Sequence, residues 1–155
     1  IVPSWKEISP LANGFCLRLY SDYIHLWGKV MLPRILTGLV GLLMAVITLG
    51  WLADPSSAAA NLGMPLLDGL GRSTQIGDFT AFFAAIAGFS LYAAWKENAH
   101  WARAAATVLL LAALFRTTSW LMHDAVFATQ QIVAEVVMGA VLLFAASRWS
   151  TASAE

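Results

Sequence analysis

The chain has 155 residues, 59% of them hydrophobic and 12% charged, with a mean hydropathy of +0.71 and no net charge. Soluble domains carry about 25% charged residues, so a chain at half that value is expected to meet lipid over much of its surface. The balanced charge leaves no basic field for nucleic acid. The single cysteine, Cys16, excludes an internal disulfide framework and a multi-cysteine metal site.

Residues 1–31 differ from the rest. The start, residues 1–10, lacks the apolar core of a cleavable signal peptide, so insertion is expected to rely on the spans themselves. Ser9-Pro10 and Asn13-Gly14 mark turns. From Leu17 the pattern turns helical: Arg18, Asp22, His25 and Lys29 form one polar stripe, opposed by Leu19, Tyr23, Leu26, Trp27 and Val30. That spacing predicts an amphipathic helix lying in the membrane interface, anchored by Tyr20, Tyr23 and Trp27. The alternative is a plain connector whose aromatics rest on the bundle. Met31-Leu32-Pro33-Arg34 reads as a natural start, which makes the preceding residues an extension.

Four apolar runs follow, at residues 32–53, 76–95, 102–122 and 126–147. Each reaches the roughly 20 residues needed to cross hydrocarbon. None alternates as a barrel strand would, so the fold class is all-α: a four-span bundle over residues 32–147 and a short tail at 148–155. In the first run Thr37, Gly41 and Ala45 recur every four residues, a small stripe that lets another helix approach closely. Asp54-Pro55 and Gly63 bracket a short helix in the loop that follows. Ser73 or Thr74 is expected to cap the second span, and Asp124 the fourth. Residues 96–100 (KENAH) turn between the second and third spans, and His123-Asp124 between the third and fourth.

Lysine and arginine set the orientation. Lys6, Arg18, Lys29, Arg34, Lys96, Arg103 and Arg148 fall on the side of the termini, against Arg72 on the other. The positive-inside rule then places both termini in the cytoplasm of a bacterial inner membrane.

Asp78, Arg116 and Glu135 interrupt the apolar runs. Each costs about 2.5–3.5 kcal/mol at a span centre if left alone. Asp78 is satisfied most simply by the positive end of its own helix, and Arg116 by snorkelling. Glu135 has a short stem and must be paired or protonated. Arg116 and Glu135 are symmetric about residues 125–126, so a tight antiparallel turn brings them to one depth. Gln131 lies one turn from Glu135, and Trp120 and His123 continue the face of Arg116. The cluster reads as a lock on helix register, as a pocket for a small ligand or lipid head group, or as part of an ion path. A path would need polar groups through the whole thickness, and only Thr48, Ser90 and Thr107 occupy the inner half. The three histidines are too scattered for a metal or haem site, and no phosphate loop or nucleophile elbow is present. No cofactor and no catalysis are expected.

The stretches at residues 31–41 (MLPRILTGLVG), 51–55 (WLADP) and 71–83 (GRSTQIGDFTAFF), together with Glu135, resemble a family of small bacterial four-helix membrane proteins of unknown function. DoxX-like four-span proteins share the general shape less closely. The resemblance covers residues 31–147 and implies a fold but no reaction. The leading expectation is an accessory or structural subunit that packs on other membrane-protein subunits among membrane lipids. The alternative is a protein that binds a small molecule or lipid head group in a polar pocket of the outer half.

Overall fold

A computed structural model describes residues 31–152 of the chain. The expected interfacial helix, with Tyr20, Tyr23 and Trp27, lies outside the described residues. From Pro33 on, the described residues belong to one compact unit. Five helices are described: α1 (Met31–Ala53), α2 (Pro55–Asn61), α3 (Gly69–Lys96), α4 (Ala99–His123) and α5 (Thr129–Ala152). All but α2 are long and apolar enough to cross a membrane. They run alternately up and down, with α1 against α3, α3 against α4, and α4 against α5.

In α1, Thr37, Val40, Gly41, Met44 and Trp51 turn inward, while Ile35, Leu39, Leu42, Val46 and Leu49 are exposed. A helix that is apolar on both faces has lipid on one of them. The inner face is packed closely. A Cβ built on Gly41 would stand 2.8 Å from Leu91 Cγ and 3.0 Å from the Leu91 backbone nitrogen. The absence of a side chain at Gly41 therefore lets α1 and α3 approach to backbone contact. Toward the loop end, Trp51 stacks on Phe79 with centroids 4.9 Å apart and planes 9° from parallel. Trp51 is 1% exposed. The sequence suggests a membrane-interface anchor there; the ring instead fills the bundle core. Trp95 and Trp101 are exposed near the opposite end, as anchors should be.

Helix ends depart from the ends of the apolar runs. α3 starts at Gly69, so Ser73 and Thr74 lie inside it, and its first turns are held by the preceding loop. The buried Gln75 side chain accepts from the Leu67 N–H at 2.9 Å and donates to the Pro65 carbonyl at 3.1 Å. Arg72 donates to the Leu67 carbonyl and to Asp68. Glu97 takes a left-handed conformation (φ 52°) to close α3, and Arg34 of α1 pairs with it at 3.3 Å. Asn98 caps α4, accepting from the N–H groups of His100 and Trp101. Asp124 closes α4 in a left-handed conformation (φ 51°) rather than capping α5, which starts at Thr129. α5 continues beyond the expected end at residue 147, with Trp149 buried against Ala93, Ala102 and Ala145.

Candidate binding cleft

Arg116 and Glu135 meet across the α4–α5 interface. Arg116 Nε donates to Glu135 Oε1 at 2.9 Å. The Arg116 side chain is 29% exposed and that of Glu135 9%. At about 1.5 Å per residue, Arg116 stands about 23 Å along α4 from Trp101, and Glu135 about 21 Å along α5 from Trp149. Against hydrocarbon about 30 Å thick, with those tryptophans near one boundary, both groups lie below the opposite boundary by more than one helical turn. They satisfy each other, except that Glu135 Oε2 is buried with no hydrogen-bond partner among the described residues.

The pair lines a cleft of about 530 Å³ in the half of the bundle nearest the loops. One wall is α1 and α2, with Gly50, Trp51, Asp54, Ser57 and Asn61. The facing wall is α5, with Gln130, Gln131, Ala134, Glu135 and Met138. Met44, Ile47, Phe83 and Leu109 add apolar surface to the lining. The lining thus combines a charged pair and several uncharged polar side chains with a large apolar surface, as small-molecule sites of 300–1,000 Å³ commonly do. α2 is fixed beside the cleft by two means. Ala59 is fully buried in the core cluster that contains Trp51, and Asp54 caps the helix by accepting from the Ser57 N–H at 3.1 Å. Hydrogen bonds from the Ser57 side chain and backbone hold the Asp54 carboxyl below the ordinary carboxylate range.

The residues singled out in the sequence divide. Arg116, Glu135 and Gln131 come together in the cleft. Asp78 does not join them: it is exposed on α3 and lies on the other side of Arg116, in a shallower groove with Phe79, Phe82, Ala112, Phe115 and Ser119. Trp120 and His123 share the helical face of Arg116 but sit one and two turns closer to the α4–α5 connection. Trp120 packs edge-on against Phe127, and His123 is exposed. In the Thr37–Gly41–Ala45 stripe, Thr37 is fully buried, Gly41 makes the close approach to α3 and Ala45 is partly buried.

Sequence reasoning missed the α1–α2 wall. Gly50, Ser57 and Asn61 carry no signal of their own in a Ser/Ala-rich loop, and Asp54 reads only as a helix cap. Among the described residues no group of three or more His, Cys, Asp or Glu side chains could hold a metal ion. Compared with protein-family models, curated proteins and solved structures, the chain matches none.

Proposed function

We propose that this is a non-catalytic multi-pass membrane protein that takes a small amphiphile into the cleft between α1, α2 and α5. The observation that carries the reading is the lining itself. A paired but incompletely satisfied carboxylate adjoins a wall of methionine, aromatic and aliphatic side chains, in a chain whose outer faces are suited to lipid. Such a lining accommodates a polar head and an apolar chain together. The four basic residues Arg34, Lys96, Arg103 and Arg148 gather at the end opposite α2. The positive-inside rule supports a bacterial inner membrane with that end, and both termini, in the cytoplasm. The cleft would then serve the outer leaflet.

A steric block tests the reading. An ideal Cβ at Gly50 meets nothing within 4 Å, although Gly50 lines the cleft. Gly50→Phe should therefore fold and fill the space. A photoreactive twelve-carbon alcohol should label Met44 and Met138 saturably in the wild type and at least ten-fold less in Gly50→Phe. Labelling spread evenly over the lipid-facing leucines of α1, with no saturation, would contradict the reading.

A second reading, an accessory subunit of a larger membrane complex, is favoured by one face of α3. Gly77, Asp78, Ala81, Ala84 and Gly88 are exposed there, and a Cβ on either glycine meets nothing. Small residues of this kind let a partner helix approach. Gly88→Leu should then dissociate a native complex without disturbing cleft labelling; an unchanged complex size would remove this reading.

A further inference from the structure

We infer that the cleft selects a single-chain amphiphile with a neutral hydroxyl head over one with a carboxylate or an ammonium head. The inference rests on the amphiphile reading above and names the chemistry of the ligand.

The polar end of the cleft offers an acceptor and donors side by side. Glu135 is 7% exposed and lines the cleft. Its Oε1 receives Arg116 Nε, and its Oε2 has no partner among the described residues. A buried carboxylate oxygen favours a ligand that brings a donor. Arg116, also in the lining, carries five N–H donors, of which the bond to Glu135 uses one. A hydroxyl has one donor and two acceptor lone pairs, so it can donate to the Glu135 carboxylate, whose buried Oε2 reaches the cleft by rotation of the side chain, and accept from Arg116 at once. An ammonium has donors alone and would face the guanidinium. A carboxylate has acceptors alone and would face Glu135.

The charges point the same way. Arg116 and Glu135 cancel, and Asp54 is the other ionisable group in the lining. An anionic head therefore finds no uncompensated cation. A cationic head finds Glu135 already paired, and Asp54, the carboxylate left over, stands exposed to water at the cap of α2, where its attraction is screened. A neutral head avoids burying a third charge. Below the pair, Met44, Phe83, Leu109 and Met138 supply apolar surface for the chain, and methionine adapts to its contour. The volume of about 530 Å³ is that of a small-molecule site.

The test uses the full chain in phosphatidylcholine nanodiscs. Diazirine-bearing twelve-carbon alcohol, amine and carboxylate are presented at equal membrane loading, with untagged dodecanol as competitor. The alcohol should label the peptides bearing Met44 and Met138 at least ten-fold more than either charged chain, and excess dodecanol should abolish that labelling. In Glu135→Gln the carboxylate group beside Arg116 is gone, so labelling by the carboxylate chain should rise at least ten-fold. The order in the wild type decides the matter even where that variant is poorly folded. Equal competable labelling by all three chains, or a charged chain labelling most, would overturn the head-group inference and leave the cleft reading intact. Absence of competable labelling by any chain would overturn both.

Discussion

Glu135 is held at its depth by one partner, and the size of that dependence separates a charge effect from a hydrogen-bond effect. Interhelical hydrogen bonds in a bilayer contribute about 0.6 kcal/mol on average, whereas stranding one member of a buried pair costs about 3–5 kcal/mol. Arg116→Leu is therefore expected to destabilise the bundle by about 3 kcal/mol in reversible unfolding from lipid. Glu135→Gln should cost less than Glu135→Leu, because the amide still accepts from Arg116, and Arg116→Leu combined with Glu135→Leu should recover part of the single losses. Silent single variants would mean that neither group depends on the other. The pairing was legible in the sequence because a tight turn converts symmetric spacing into equal depth, and the 2.9 Å contact follows that rule. Asp78 was not placeable in the same way. It lies on a helix joined to α4 at the far end, where small errors in register accumulate along the span. A tryptophan at the end of an apolar run resembles an anchor, and nothing local distinguishes one that, like Trp51, stacks on Phe79.

Between elements, two glycines contrast. At Gly41 an added Cβ meets the Leu91 backbone nitrogen at 3.0 Å as well as its side chain; at Gly139 it meets the Leu110 side chain alone, at 2.9 Å. A side chain can rotate away and a backbone cannot. Gly41→Ala should destabilise by about 1–3 kcal/mol and resist rescue by Leu91→Ala. Gly139→Ala should cost less, and Leu110→Ala should relieve it. Equal costs in thermal unfolding would show that α1 and α3 are less tightly apposed than described. The α2 cap gives a dependence on pH. The folded Asp54 carboxyl titrates below its unfolded value, so its contribution is present above the ordinary carboxylate range and is lost as pH falls through the folded value. Amide protection over α2 should hold from neutral pH to about 5 and fall at lower pH, while Asp54→Asn, a neutral cap, should remove the dependence. Wild-type protection unchanged at pH 2 would contradict this. The caps at Asp54 and Gly63 were legible because their residue types have few other uses. The start of α3 was not, because Gln75 binds a loop eight to ten residues away, and a single sequence carries no mark of that.

For the whole molecule, four spans and a charge difference between the two ends fix what any function must work with. The spans were readable because lipid as solvent makes both faces of a helix apolar. The cleft was not, because it is a space between α1, α2 and α5 and no short stretch encodes it. Orientation is checked separately: on a Cys16→Ser background, a cysteine at Ser57 should react with an impermeant reagent added outside the cell and one at His100 should not, and the reverse would invert the assignment. The most direct test of the central claim is an experimentally determined structure of the chain in lipid nanodiscs. It should show Arg116 and Glu135 within hydrogen-bond distance across α4 and α5, beside a cleft holding elongated density between Trp51 and Met138. α1 closed against α5 with no space between them, or Arg116 and Glu135 on opposite faces of the bundle, would contradict it.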